Sequence, residues 1–373
     1  MNWKAKPLGS CIEVFDSCRR PVTKKDRVLG PYPYYGASGI VDYVDSYIFE
    51  GLHVLVAEDG ENLRSRKLPI AYLADGRFWV NNHAHVLRAN DENDTRFLSY
   101  MIESLDLSGF ITGSTQPKLS QAALLSIPLR LPKLAEQRRI AEVLGALDDK
   151  IESNQAVVTR AEQLIDAIAE QKATVLPTVA LSEVCSLSKS TWKPDTSSDQ
   201  TVHLFSLPAF DEGAVPEQAA VSTIKSNKTL VDRPGILVSR LNPRISRMWW
   251  VETDATPVSV CSPEFAYLTA GDMHGLACTW LAVRSPEFRG EIVDRVTGTS
   301  GSHQRVRPAD LMTIGVPDYR SLAEHTQMTV LTLLHLVSAR RQQSVALAEL
   351  RDALLPELMS GRMRVDEAGR LVS

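Results

Sequence analysis

The chain has 373 residues, 44% of them hydrophobic, which is enough for two hydrophobic cores and long for a single domain. Its formal net charge of −4 argues against a simple DNA-binding protein, so a phosphate-binding surface must be local or shared with a partner. No apolar run approaches the ~18 residues of a membrane span, and no apolar signal segment follows Met1. We therefore expect a cytoplasmic protein.

The first globular region reads as β-rich. Residues 47–57 predict short strands around a turn, and Asp59-Gly60 is a further turn signal. His83 and His85 alternate, which predicts that both imidazoles lie on one face of a strand. Further ligands for a metal are not evident there, so polar readout or hydrogen bonding in a β-face is the better hypothesis. In the second half, residues 235–239 predict a short buried strand.

A long helix follows the first region. Between Glu136 and Thr174 there is no proline. Apolar residues at 140, 144, 147, 151, 158, 161, 165 and 168 form a heptad seam, which Asn154 interrupts. Adding 187 gives a weaker seam at 331, 334, 338, 341, 345, 348, 352 and 355, with Arg341 in the place of Asn154. Val337 and several leucines lie beside this second seam and would shift the apolar face of the helix toward themselves.

The offset of 187 comes from an internal repeat. The run Thr112-Gly113-Ser114-Thr115-Gln116-Pro117-Lys118 returns as Thr297-Gly298-Thr299-Ser300-Gly301-Ser302-His303-Gln304. Ile127 then maps onto Ile314, because 314 − 127 = 187. Leu8 and Leu181 open the two halves in similar ways. The order is globular, helix, globular, helix, and equal spacing favours packing of the helices on each other over packing on separate cores.

Motifs for catalysis are not found in the sequence. Asn242-Pro243-Arg244-Ile245 matches only part of an adenine methyltransferase motif and predicts a turn after a strand. No G-x-x-x-x-G-K-[ST] loop occurs, and Glu58-Asp59 lacks the lysine that a nuclease motif needs. The five cysteines form no C-x-x-C pair. We therefore expect no catalytic residue, no cofactor and no metal.

Basic residues concentrate in related places of both repeats, which favours phosphate contacts over a merely solvated face. Arginine, asparagine and glutamine side chains can read base edges, and loops rich in glycine, serine and threonine can donate to phosphates. The candidate DNA-binding residues are Tyr35, Gly36, Asn81, Asn82, His83, His85, Gly113, Ser114, Thr115, Gln116, Lys118, Arg240, Asn242, Arg244, Arg247, Thr299, Ser300, His303, Gln304 and Arg305.

Four motifs resemble those of type I restriction–modification specificity subunits. Leu131-Pro132-Lys133-Leu134-Ala135-Glu136-Gln137-Arg138-Arg139-Ile140 resembles the start of their central conserved helix. Leu350-Arg351-Asp352-Ala353-Leu354-Leu355-Pro356-Glu357-Leu358-Met359-Ser360-Gly361 resembles the end of their second helix. Residues 113–119 and 34–40 are similar to the end and the opening of their target recognition domains. The stretch before the second helix, residues 318–325, departs from the family's Pro-x-x-Glu-Gln form.

The resemblance implies an α+β fold with pseudo-two-fold symmetry, in which two β-rich target recognition domains are held apart by two long antiparallel coiled-coil helices. The implied segments are a first target recognition domain at 1–134, a central helix at 135–176, a second recognition domain at 177–320, a C-terminal helix at 321–361 and a tail at 362–373. The implied function is DNA sequence specificity without catalysis. The implied partners are double-stranded DNA, two modification subunits that methylate adenine with S-adenosylmethionine, and a motor-nuclease subunit. These partners would add the positive surface that this chain lacks.

The expected target is bipartite and asymmetric. About 35 helical residues make a rod of about 50 Å, which exceeds one DNA turn of about 34–36 Å. Two different domains on such a rod would read two different segments with an unread spacer between them. Two alternatives stay open: a helical scaffold that binds protein partners and no DNA, and a self-sufficient methyltransferase.

Overall fold

The computed structural model describes residues 4–195, 197–253, 256–297 and 304–372. Contacts divide the chain into two compact units, unit 1 (Met1–Asp149 with Leu347–Ser373) and unit 2 (Lys150–Ala346). Both unit boundaries fall within long helices. In the described ranges, no helix has the length together with the apolar character that a membrane crossing requires.

Both halves contain strands and helices. The strands are β1 (Lys4–Pro7), β2 (Ile12–Val14), β3 (Tyr32–Gly36), β4 (Gly39–Val44), β5 (Phe49–Glu50), β6 (His53–Ala57), β7 (Ala71–Ala74), β8 (Arg77–Val80), β9 (Ala84–Ala89), β10 (Pro128–Leu131), β11 (Thr178–Ala180), β12 (Ser186–Leu187), β13 (Thr191–Trp192), β14 (Thr201–Phe205), β15 (Glu217–Ala220), β16 (Lys228–Val231), β17 (Gly235–Ser239), β18 (Met248–Val251), β19 (Ser259–Cys261), β20 (Phe265–Thr269) and β21 (Gly315–Pro317). The helices are α1 (Asn62–Ser65), α2 (Thr95–Ser104), α3 (Gln121–Ser126), α4 (Leu134–Ala173), α5 (Leu181–Val184), α6 (Leu207–Asp211), α7 (Met273–Arg284), α8 (Pro286–Asp294), α9 (Pro308–Leu311), α10 (Glu324–Met359) and α11 (Val365–Val372).

Unit 1 is built around β6, all five residues of which are buried. β6 lies in the antiparallel sheet β2-β9-β6-β7, beside a second sheet with the order β4-β3-β8-β5. Because side chains alternate along a strand, Val54 and Val56 join the core that contains α2, while Leu55 joins a core with the aromatic residues Phe49 and Phe78. A strand covered on both faces reads as a continuous apolar run, which is what the sequence shows here.

Unit 2 repeats this arrangement around β17. Its sheet β12-β20-β17-β18 has the same connectivity as β2-β9-β6-β7. Ile236 and Val238 join the core with α7, and Leu237 faces the opposite core with Trp249. The outer pairs also correspond, since β1 pairs with β10 and β11 pairs with β21, antiparallel in both cases. The internal repeat and the predicted strands at 47–57 and 235–239 are therefore confirmed.

Helices α4 and α10 pair within each unit. In unit 1, Asp148 and Arg351 form an ion pair of 2.8 Å. In unit 2, buried Asn154 donates to Gln343 Oε1 at 3.1 Å, and Glu162 pairs with Arg341 at 2.8 Å. Residues later in α4 contact residues earlier in α10, so the two helices run antiparallel. The predicted fold class is thus confirmed, and the predicted division into recognition domains, helices and tail stays a prediction.

The start of each long helix is fixed by a glutamine. Gln137 is 1% exposed; it donates to Asn93 Oδ1 and Pro132 O, both at 3.0 Å, and accepts from Asp94 N at 2.9 Å. Gln327 holds the equivalent place in unit 2, donating to Leu322 O at 2.8 Å. The glutamine that residues 318–325 lack is therefore present two positions after His325, as Gln327.

This displacement corrects the predicted helical alignment. The helical offset is 327 − 137 = 190 rather than 187. Val330, Leu334 and Val337, which lie 190 after Ile140, Leu144 and Leu147, are all buried. Asn154 then corresponds to Ser344, and the predicted equivalence to Arg341 was wrong, as was Val345 as a seam residue, because it is 37% exposed. The cause is three extra residues between Ile314 and α10, which the offset of Ile127 and Ile314 does not include.

We expect Gln137→Ala to destabilise unit 1 by about 2–4 kcal/mol, because it leaves buried donors and acceptors without partners. Gln327→Ala should cost less, since Gln327 is only partly buried. Urea unfolding at neutral pH measures both, with Arg138→Ala as an exposed control on the same helical turn. Equal effects of Gln137→Ala and Arg138→Ala would contradict this account of the helix start.

Candidate nucleic-acid interface

Three stretches of chain meet at the end of β6, and we call this junction 1 (residues 58–60, 81–83 and 112–119). Glu58 N donates to His83 O at 2.9 Å, and Leu119 N donates to Glu58 O at 2.8 Å. The third stretch is a loop closed by two hydrogen bonds of 2.8 Å between Thr112 and Lys118. Its turn needs Gly113, with φ of +85°, where a Cβ would lie 2.2 Å from Gln116 O.

The same hydrogen bonds recur at the end of β17, in junction 2 (residues 240–242, 262–264, 297 and 304–306). Arg240 N donates to Glu264 O at 2.8 Å, and Val306 N donates to Arg240 O at 3.0 Å. Thr297 and Arg305 close the loop with bonds of 2.9 and 3.1 Å. The two units therefore present one backbone scaffold with different side chains: Glu58, His83 and Lys118 in junction 1 correspond to Arg240, Glu264 and Arg305 in junction 2.

Junction 1 is centred on a carboxylate. Glu58 pairs with Arg19 at 2.7 Å and with Lys118 at 3.2 Å. Burial raises the pKa of the Glu58 carboxyl, but the Arg19 and Lys118 contacts and the nearby His85 ring outweigh burial and hold the pKa below its ordinary value of 4.5. The arrangement is a compensated charge cluster at the base of the exposed loop.

Asp16, Glu58 and His85 lie close enough together to hold a metal ion. Their ligand atoms are already used: His85 Nδ1 lies 2.6 Å from Asp16 Oδ2, and His85 Nε2 lies 2.9 Å from Leu119 O. The Arg19 guanidinium, which also lies within 3.5 Å of Asp16, supplies positive charge to both carboxylates. These contacts indicate a structural ion-pair cluster instead of a metal centre.

Junction 2 is centred on a guanidinium. Arg240 donates to Pro263 O at 2.7 Å from beneath the turn between β19 and β20, and its Nε is buried without a partner in the described part of the chain. Burial lowers the pKa of Arg240, and the neighbouring Arg305 lowers it further. Arg305 itself is bound by Glu264 at 2.8 Å. Junction 2 thus has two arginines near one carboxylate.

The candidates of unit 1 divide into exposed and internal residues. Loop residues 113–116 and Asn82 are exposed, and so is Lys118. Tyr35 and Gly36 end β3, where Tyr35 packs edge-on against Phe78 and Gly36 is buried. Asn81 is 8% exposed and its Oδ1 accepts from His83 N at 2.8 Å, so it shapes a turn.

The predicted strand face with two histidines was wrong. β9 begins at Ala84, so His83 lies in the turn before it, exposed and 2.9 Å from Asp59. His85 is 1% exposed with both ring nitrogens occupied, so its surface role as a DNA contact is not supported by its position. The alternating pattern was misleading because a tight turn of Asn81, Asn82 and His83 precedes the strand.

Among the candidates of unit 2, Arg244 is exposed and no described residue pairs with it. Arg247 is held by Asp211 through bonds of 2.7 and 2.8 Å. Asn242 has a φ of +46° and donates to Gln304 O at 2.9 Å, which confirms the predicted turn. Thr299, Ser300 and His303 lie outside the described residues.

The candidate residues chosen from the sequence omit four that form or support the two junctions. Arg19 and Arg64 support junction 1, since Arg64 donates to Ser114 O at 3.0 Å and to Gly113 O at 2.5 Å. Glu264 organises junction 2, and Glu58, considered from the sequence only as a nuclease carboxylate, is the centre of junction 1. Glu58 and Arg240 are the residues that directly follow β6 and β17. Aligning these two strands in the sequence is the signal that pairs them.

The chain is thus a duplicated α+β protein with one exposed polar junction per unit and a pair of long helices. Residues 1–163 match the family model described as "Type I restriction modification DNA specificity domain". The resemblance predicted from the helix and loop motifs is therefore confirmed.

Two curated relatives agree with this assignment. The chain is 38% identical over 148 residues to a Haemophilus influenzae protein provisionally described as a type I restriction enzyme specificity subunit. It is 27% identical over 120 residues to the EcoprrI type I restriction enzyme specificity subunit of Escherichia coli. The matches cover 39% and 31% of this chain, and 37% and 28% of those relatives.

The fold extends the likeness over the whole chain. The crystal structure of the type I restriction–modification S subunit from M. genitalium superposes with a TM-score of 0.64 over 96% of both chains, at 15% sequence identity. At this identity the comparison supports the fold alone, and it includes the part of unit 2 after residue 163, which the family model does not reach.

We expect Glu58→Gln to lower the free energy of unfolding of unit 1 by about 1–3 kcal/mol at pH 7, because charge-assisted bonds are lost. A carboxyl whose pKa is lowered by folding stabilises the protein above its unfolded pKa, and that stability is lost as pH falls through the folded pKa. The difference between parent and variant should therefore begin to shrink as pH falls below about 4.5 and vanish only below the lowered pKa of the folded protein. Urea unfolding between pH 7 and 3.5, with exposed Glu61→Gln as control, tests this; a difference that grows on acidification would contradict it.

Proposed function

We propose that this chain is the DNA sequence-specificity subunit of a type I restriction–modification system, without catalytic activity of its own. It recognises a bipartite, asymmetric DNA site and recruits two modification subunits that methylate adenine, together with restriction subunits. A location in the cytoplasm belongs to the same proposal. The scaffold reading, which involves no DNA, is the alternative outcome of the tests below.

The duplicated junction is the observation that carries this proposal. Each unit holds three chain stretches in the same backbone geometry, and the side chains at equivalent places differ in charge and hydrogen-bonding character. A recognition protein needs this combination, because the scaffold fixes the orientation on DNA while the side chains select bases. Two junctions with different side chains support two different half-sites.

The charge distribution supports a need for partners. The net charge is −4, and several candidate cations are already paired with carboxylates: Lys118 with Glu58, Arg247 with Asp211, and Arg305 with Glu264. Phosphate binding depends on cations that release counterions, and a paired cation contributes less. Modification subunits that also hold the duplex would supply the missing affinity.

We expect the chain co-expressed with its modification subunits to produce adenine methylation at a bipartite site. Single-molecule sequencing of genomic DNA, with and without this chain, gives the methylated motif directly. Two short unlike segments separated by unread bases are expected, since the junctions differ in their side chains. A continuous motif would contradict the bipartite model, and methylation that does not depend on this chain would favour the scaffold alternative.

The purified chain alone should neither methylate nor cleave DNA and should not hydrolyse ATP, because its sequence contains no motif for these cofactors. Incubation with radiolabelled S-adenosylmethionine or ATP and duplex DNA measures this. The same assay after addition of modification subunits is the positive control. Methyl transfer by the chain alone would show that it is a methyltransferase itself.

A further inference from the structure

We infer that Arg305 reads a guanine in the DNA half-site of unit 2, with Glu264 fixing the orientation of its guanidinium. The inference rests on the proposed function and adds to it one base pair and the residues that select it. Its support is the geometry of junction 2: an exposed arginine, a carboxylate that holds it and a second arginine beneath them.

Arg305 is oriented and still accessible. Its side chain is 56% exposed, and one Nη2 bond of 2.8 Å to Glu264 Oε1 restrains it. The Arg305 backbone is fixed by hydrogen bonds to Thr297 on both N and O. An arginine has five N–H donors, and among the described residues only Glu264 accepts from the Arg305 guanidinium, through one of them. A guanidinium fork matches the O6 and N7 acceptors on the major-groove edge of guanine.

Glu264 is itself held rigidly. It lies in the tight turn between β19 and β20, where Phe265 N donates to Ser262 O at 3.0 Å and Glu264 N donates to Ser262 Oγ at 3.3 Å. Arg240 also holds this turn in place through its hydrogen bond to Pro263 O. Arg240 therefore acts as a positioning residue, because its guanidinium is partly buried while that of Arg305 is exposed.

The Glu264 carboxylate favours a base edge over a phosphate as the ligand of Arg305. A phosphate and a guanine edge both offer oxygen acceptors to a guanidinium. Glu264 is 32% exposed beside Arg305, and its negative charge would repel a phosphate bound to the same guanidinium. A base edge is neutral, and a G·C pair presents a cytosine N4 amino donor next to guanine O6, which complements a carboxylate beside a guanidinium.

Junction 1 offers a comparison at the equivalent position. Lys118 replaces Arg305 there and pairs with Glu58 instead of with a residue of the turn. An ammonium has no planar fork, so it lacks the bidentate match to guanine. The two half-sites should consequently differ, and the guanine preference assigned to Arg305 should be confined to one of them.

The test uses the complex of this chain with its modification subunits and a pool of randomised DNA duplexes, from which bound molecules are selected and sequenced. The parent motif should contain a G·C pair in one half-site. Arg305→Gln should reduce the preference at that position on the order of 5- to 100-fold and leave the other half-site unchanged. Arg305→Lys should not restore the preference, because charge without the fork is insufficient. Glu264→Gln should weaken the same preference to a smaller degree.

Arg320→Gln is the matched control, because Arg320 forms an arginine–aspartate pair of similar exposure with Asp318 and shares no hydrogen bond with junction 2. Uniformly weaker binding by Arg305→Gln on all sequences, restored by Arg305→Lys, would identify a phosphate contact and overturn the inference. An unchanged motif in both Arg305 variants would also overturn it while leaving the proposed function in place. A parent complex that selects no motif would refute the proposed function itself.

Discussion

Backbone hydrogen bonds at the end of one buried strand hold each unit's polar surface in place. The strands β6 and β17 are enclosed by cores on both faces, so their ends are fixed with little freedom. The residue that follows each strand donates from its N–H to one chain stretch and accepts at its C=O from another. Main-chain groups make these bonds, so they do not depend on side-chain identity. The surface can therefore change its chemistry while keeping its shape.

Because these backbone bonds do not depend on the side chains, the two junctions can carry opposite charges at their centres. Glu58 in unit 1 is surrounded by cations, and Arg240 in unit 2 lies near a carboxylate and a second cation. A charge close to the core is costly unless it is paired, so each central charge selects its own neighbours. The solvent-accessible side chains at equivalent places are His83 and Lys118 in junction 1 and Glu264 and Arg305 in junction 2, so the two units differ in binding chemistry.

Buried polar groups also determine how the long helices begin and pair. Gln137 satisfies three groups around the start of α4, and Asn154 meets polar partners in the helix seam. Such groups favour one register, since any shift would leave them without partners. The glutamines Gln137 and Gln327 therefore identify equivalent positions in the two helices and give the helical offset of 190.

The sequence by itself determined the repeat, the two long helices, the buried strands and the family resemblance. These features depend on apolar periodicity and on local turn chemistry, which neighbouring residues express directly. It also located the exposed loop around Gly113, whose backbone conformation favours glycine. Only the tertiary structure decided that His85 is internal, that Glu58 and Arg240 are equivalent, and that Arg19 and Glu264 organise the junctions. Those facts arise from contacts between residues 20 to 70 positions apart in sequence, such as His85 with Asp16 and Arg305 with Glu264, and local patterns carry no record of such partners.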